Sequence, residues 1–329
     1  DRQPHSLTDI TPFLATFRAN GGQQKVLKFQ ESGWANSLLT LKIRLYHGPN
    51  ENGVQREFYP MWNGTVQFNP SYSDNRPPQV FTVPPNATKV EFVAYLTGHG
   101  WGSAGCFNCC EFCNSRHIFS VNGGVYEFSK DHPNASDNNY CMDIETIAQG
   151  VIPNQYGTWG YGRAGWCPGT KVDEYSFELT NIVTAGDTIS IDYEIETIID
   201  ESEEKGIFRM SHQLFLYGKP NFKYNVEIAE IIVPSTEDRY SRINPTLSSP
   251  RIIIRNNGSE DIRLLKIKYG LEHGSKYIYR WKGVCPFLME QEIHLPIPDW
   301  SGLSNDRLFI VEAISLNGRK DEYPIDNIK

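Results

Sequence analysis

Ile189-Ser190-Ile191-Asp192-Tyr193-Glu194-Ile195 carries an apolar side chain at every second position and a polar one between. A period of two sends the two sets to opposite faces of an extended chain, as a half-buried antiparallel strand requires. Lys25-Val26-Leu27-Lys28-Phe29 is read the same way, and short runs rich in Val, Ile, Phe, Tyr and Thr recur between Gly, Pro and Asn clusters along the 329 residues. The 3.6 period of an amphipathic helix is scarce, so the chain reads as all-β.

Working outward, strands are expected at Gln24–Glu31, Leu38–His47, Val54–Tyr59, Lys89–Thr97, His117–Asn122, Tyr126–Ser129, Val172–Thr180, Thr188–Ile195 and Phe208–Tyr217. That number of strands suits a jelly-roll sandwich. Gly218-Lys219-Pro220-Asn221 is a turn-forming run and marks a boundary. Beyond it, Val226–Val233, Arg251–Asn256, Ile262–Tyr269, Tyr277–Trp281, Glu290–Leu295 and Arg307–Ile314 are regularly spaced short strands, like an immunoglobulin or fibronectin type III module. That module shows no catalytic constellation.

The formal charge of −8 argues against a broad basic face for nucleic acid or anionic lipid. No apolar run is long enough for a spanning helix. Asp1 to Ser6 lack the layout of a signal peptide, and a start at Asp1 rather than Met reads as a processed or trimmed product.

Of seven cysteines, at 106, 109, 110, 113, 141, 167 and 285, six lie within 62 residues. Cys106-x-x-Cys109 and Cys110-x-x-Cys113 each have the spacing of half a zinc site. Adjacent Cys109 and Cys110 tend to point apart, however, and no second pair follows at a suitable distance, so disulfides fit better. Disulfides imply an oxidising compartment, and the expected location is secreted or periplasmic. Cys285 is the odd cysteine: free, buried or paired with another chain.

Between Lys130 and Thr170 the alternation disappears for a long stretch, which in a compact domain marks a functional or a disordered segment. A bridge between Cys141 and Cys167, were it formed, would stabilise the segment by roughly 3 kcal/mol. In Cys109-Cys110-Glu111-Phe112-Cys113 a carboxylate sits inside a cysteine-bracketed turn. If Cys109 bridged Cys113, Glu111 would be held in one direction, as a catalytic acid or base needs. Arg163-Ala164-Gly165-Trp166-Cys167-Pro168-Gly169 combines a planar donor fork with a wide aromatic face, groups that suit sugar recognition. Trp101, Trp159, Tyr156 and Tyr161 could extend that surface or belong to the core. Glu31 ends an expected strand beside Trp34, where it could line a cleft. His99 and His117 flank the cysteine cluster, but no HxH, HExxH, GxSxG, P-loop or Rossmann pattern occurs.

Taken together, Gly98-His99-Gly100-Trp101, Cys109-Cys110-Glu111-Phe112-Cys113, His117, Cys141 and Arg163-Ala164-Gly165-Trp166-Cys167-Pro168-Gly169 resemble the peptide:N-glycosidase F family. Leu7-Thr8-Asp9-Ile10-Thr11 and Leu27-Lys28-Phe29-Gln30-Glu31-Ser32 extend the resemblance, which runs from about residue 7 to 220. It implies two adjacent jelly rolls and hydrolysis of the amide joining an N-linked glycan to asparagine, giving aspartate and a glycosylamine. The substrates implied are N-glycosylated proteins or glycopeptides, and neither metal nor cofactor is implied. Glu111 and Glu31 become active-site carboxylates, Arg163 orients the scissile amide or the sugar, and Trp166, Trp101, His99 and Trp34 line the substrate pocket. The implied disulfides are Cys109 with Cys113 and Cys141 with Cys167. The domains implied are 1–85, the end of an incomplete first jelly roll; 86–220, the second; and 221–329, the immunoglobulin- or fibronectin-like accessory domain.

Two departures from the family pattern stand out. The family's principal catalytic aspartate lies in a segment upstream of anything present here, so three alternatives stay open: a small N-terminal light chain from the same precursor supplies it, the chain is a fragment, or the protein is a non-catalytic carbohydrate-binding or adhesion protein. In addition, His99 and Trp101 stand in reversed order relative to the family's Trp and His.

Overall fold

The computed structural model describes residues 8–13, 16–17, 23–29, 38–45, 55–100, 110–143, 146–147, 150–152, 157–196, 206–237, 240, 249–300 and 307–329. The expected site residues Glu31, Trp34, Trp101 and Cys109, and also Cys106 and Tyr156, lie outside them.

Among the described residues, eight strands form the first sandwich: β1 (Gln55–Gln67), β2 (Gln79–Thr82), β3 (Lys89–His99), β4 (Ser115–Val121), β5 (Tyr126–His132), β6 (Tyr175–Glu178), β7 (Thr188–Ile195) and β8 (Ile207–Tyr217). They pair antiparallel in two four-stranded sheets, in the orders β1-β8-β3-β6 and β2-β7-β4-β5. Apart from the β4–β5 hairpin, strands next to each other in a sheet are distant in sequence, which is the interleaving of a jelly roll. The alternation in β7 is fulfilled: Ile189, Ile191 and Tyr193 are buried between the sheets. They join Phe92, Phe119, Leu214 and Leu216 in one core.

β1 and β2 fall before the expected boundary at 85/86, yet they pair with β8 and β7 and bury Trp62, Phe68 and Phe81 in this same core. Residues 55–85 therefore pack as part of this sandwich and not of a preceding unit. The strands expected at Gln24–Glu31 and Leu38–His47 do not form over the described residues 24–29 and 38–45, where Val26, Leu38 and Leu45 are largely exposed. Alternation alone does not hold a strand in water without a paired neighbour and a buried face.

The second sandwich comprises β9 (Val226–Val233), β10 (Arg251–Asn256), β11 (Ile262–Leu271), β12 (Tyr277–Cys285), β13 (Glu290–His294) and β14 (Phe309–Leu316). Its sheets, β13-β10-β9 and β12-β11-β14, enclose a separate core of Val226, Ile252, Ile254, Ile267 and Val311. Cys285 belongs to this core as a buried thiol, its Sγ 3.1 Å from the Met289 carbonyl oxygen. Burial pushes that thiol up to about 11. The two sandwiches touch where buried Lys89 donates to the Phe287 carbonyl at 3.1 Å and Leu288 packs on Val93, Phe215 and Tyr217. Among the described residues no helix is long and apolar enough to cross a membrane.

Candidate functional site

Three segments of the jelly roll meet beyond the end of β3. Gly98 N–H donates to the Ala164 carbonyl at 2.9 Å, Ala164 N–H donates to the Glu111 carbonyl at 2.9 Å, and the N–H groups of Cys110 and Glu111 both donate to Gly100 at 3.2 Å. Gly98 permits this approach, because a Cβ there would lie 1.8 Å from the Cys110 carbonyl oxygen. The indole of Trp166 locks the third segment by donating to the Gly98 carbonyl at 2.8 Å.

This junction fixes Glu111. One carboxylate oxygen accepts the Gly100 N–H at 3.0 Å and the other accepts Arg163 Nε at 2.9 Å. The Glu111 side chain is 17% exposed and that of Arg163 only 2%, so the carboxylate reaches the surface while its partner does not. A carboxylate held at both oxygens keeps lone pairs in a set direction for a hydroxyl, an amide or a water.

Arg163 is held on all sides. Nη1 donates to the Tyr161 carbonyl at 3.0 Å and Nη2 to Thr158 Oγ1 at 3.2 Å, and the guanidinium carbon lies 5.0 Å from the Phe112 ring and 4.9 Å from the Trp166 ring. Its first task in this geometry is to position Glu111. Trp166 also contacts the His99 ring at 4.9 Å, so part of the face expected to carry a sugar is already covered. His99 accepts from or donates to Thr97 Oγ1 at 2.9 Å. Burial, and then the charges of Arg209 and Arg163, pull its imidazole down to about 4 and keep it neutral near pH 7.

Cys141 and Cys167 form a disulfide that ties the loop after β5 to the Arg163–Trp166 hairpin, with Val151 and Trp159 packed beside it. Cys113 is also disulfide-bonded. Of the expected site residues that are described, Glu111, Arg163, Trp166 and His99 come together, and Cys113 lies in the Glu111 turn. Sequence reasoning missed Phe112 and Thr158 as supports of Arg163. Phe112 had a signal, since it directly follows Glu111 in the quoted motif; Thr158 had none. Among the described residues no cluster of His, Cys, Asp or Glu could hold a metal ion.

Residues 67–215 match the family model described as peptide-N-glycosidase F, C terminal. Over 112 residues the chain is 32% identical to the peptide-N(4)-(N-acetyl-beta-D-glucosaminyl)asparagine amidase F of Elizabethkingia miricola, a match covering 32% of this chain and 28% of that protein. A solved PNGase F, titled a glycosylasparaginase from Flavobacterium meningosepticum, superposes with a TM-score of 0.36 at 22% identity over 49% of this chain and 51% of that one. A solved PNGF-II gives a TM-score of 0.36 at 17% identity over 50% and 30%. The chain thus spans about half or less of the length of the relatives it matches. The junction of Gly98, Glu111 and Arg163 falls inside the matched region, and in that region the chain resembles the peptide:N-glycosidase F family.

Proposed function

We propose that the protein acts in an amidase that releases N-linked glycans from asparagine, leaving aspartate in the peptide and a glycosylamine on the sugar. The observation that carries this reading is the Glu111 carboxylate, clamped between the Gly100 N–H and Arg163 within the region of family resemblance. Amide hydrolysis needs a positioned water, a donor for the developing oxyanion and a proton for the leaving nitrogen. In this reading Glu111 holds sugar hydroxyls or a water, Arg163 fixes Glu111 and lends positive charge, and neutral His99 and Trp166 shape the wall. A second carboxylate completes the site from a segment outside the described residues, Glu31 among them, or from a separate light chain of the same precursor.

The disulfides support an oxidising, secreted or periplasmic setting. The sheet orders β13-β10-β9 and β12-β11-β14 support reading residues 221–329 as an immunoglobulin- or fibronectin-like accessory module. The internal engagement of Arg163 favours one rival, a non-catalytic glycan-binding protein on the same fold. Incubation with a denatured N-glycoprotein separates the two. Loss of the glycan together with conversion of its asparagine to aspartate supports the amidase; retention of both with measurable glycan binding supports the binder.

A further inference from the structure

The Arg163–Trp166 hairpin also walls a cavity of about 510 Å³ whose lining does not include Glu111. Its other walls come from the end of β5, the loop that follows, with Tyr140, and the segment reaching Asp173. Cavities of ~300–1,000 Å³ are of the size that holds small ligands. Four aspartates, Asp137 and Asp173 among them, and the three cations Lys130, Lys171 and Arg163 line it. Such a near balance suits neither a polyanion nor a polycation. It offers acceptors and donors side by side, which matches a neutral ligand rich in hydroxyls, each able to donate and accept. Tyr140, 40% exposed, supplies a flat apolar ring.

One wall residue points independently to an occupant. His132 is 4% exposed, and its Nε2 has no hydrogen-bond partner among the described residues. Its Nδ1 begins a buried chain: to Ser115 Oγ at 3.1 Å, from there to His117 Nε2 at 3.0 Å, from His117 Nδ1 to the Tyr193 hydroxyl at 2.7 Å, and on to the Tyr72 hydroxyl at 2.9 Å. At the far end Arg76 lies 5.9 Å from the Tyr72 ring centroid. Each hydroxyl and each neutral imidazole in the chain carries one proton and can also accept, so its hydrogen bonds can run in either direction. Burial holds both imidazoles neutral, and in either direction His132 Nε2 is the end of the chain left over, as a donor or as an acceptor. That nitrogen lies beside Gly165: a Cβ on this cavity-lining glycine would sit 2.9 Å from it.

We propose that this cavity is a saccharide subsite, taking pyranose residues of the glycan beyond the one held at Glu111, with Tyr140 as its flat face and a hydroxyl, directly or through a water, completing His132. The assignment rests on the glycan reading above.

The test is calorimetric titration of the full chain with a free high-mannose oligosaccharide carrying no peptide, alongside glycan release from a glycopeptide. Saturable binding is expected, with Tyr140→Ala weakening it about tenfold, Asp173→Asn weakening it less, and Tyr140→Phe leaving it intact. In the release assay Tyr140→Ala raises KM at unchanged kcat. Glu111→Gln stops release, and in that variant Tyr140→Ala still weakens oligosaccharide binding about tenfold. Absence of binding to wild type, or wild-type affinity in both Tyr140→Ala and folded Asp173→Asn, overturns the subsite. Binding that depends on Tyr140 in a protein that releases no glycan keeps the subsite and overturns the amidase reading.

Discussion

The interior of the jelly roll holds His117, His132, His212, Tyr72 and Tyr193 among its aromatic rings, whereas the interior of the C-terminal sandwich is built from Val226, Ile252, Ile254, Ile267 and Val311. Both are antiparallel sandwiches, and among the described residues the first carries a chain of side-chain hydrogen bonds from His132 to Tyr72 through its core. The buried imidazoles make the sandwich that bears the candidate site lose stability in acid, while the C-terminal one responds to acid with the opposite sign.

Acid should separate them most strongly. Burial lowers the imidazoles of His132 and His212 to about 3, and that of His117 well below its ordinary value, against about 6.5 in an unfolded chain. Between those values the unfolded chain binds protons that the fold refuses. The stabilising contribution is therefore full above about pH 6.5 and lost as pH falls, at up to about 4 kcal/mol per pH unit for three such groups. The opposite sign holds in the second sandwich, where burial, then Asp321 and Glu227, raise the Asp326 carboxyl to about 7. Its contribution is full at low pH and is lost as pH rises through about 7. Thermal unfolding followed from pH 7 to 4 should show the jelly-roll transition falling first, and its persistence at pH 4 would contradict this account.

Packing changes come next. Phe119→Ala, at the meeting of the Trp62, Phe92, Phe128 and Tyr193 rings, should destabilise the jelly roll by about 3–5 kcal/mol. Ile267→Ala should act on the second sandwich by about 2–5 kcal/mol, leaving glycan chemistry at Glu111 unchanged once the protein is folded. Denaturant titration of each variant, beside a release assay, checks the pair. Removing both Cys141 and Cys167 by alanine should lower jelly-roll stability by about 2–4 kcal/mol, since the bridge closes a 26-residue separation. Tyr193→Phe keeps the ring but removes the hydroxyl shared by His117 and Tyr72, and should lose about 1–3 kcal/mol by the same titration.

The strands of both sandwiches were largely legible from their apolar positions, which alternate in Ile189–Ile195 and in Leu265-Lys266-Ile267-Lys268-Tyr269. β2 was not, since four residues after Pro77-Pro78 are too few to show a period. The apolar residues at 24–29 and 38–45 misled, because the alternation signal is silent about whether a neighbouring strand exists to pair with. At the site, Glu111 stood out by its cysteine bracket and Arg163 by its motif. Their bond was invisible, because 52 residues separate them and the fold alone brings them together. The polar core was hidden for a related reason: His117 and His212 each look like one misplaced residue in a strand, and only the three-dimensional packing supplies their partners.

The central claim is that Glu111, clamped by Gly100 and Arg163, belongs to a glycan-asparagine amidase. Its most direct test is mass analysis of a denatured N-glycoprotein treated with wild type and with folded Glu111→Gln. The account predicts glycan loss with asparagine converted to aspartate by wild type, and a fall of at least about 100-fold in Glu111→Gln. Equal release by the two proteins would contradict it.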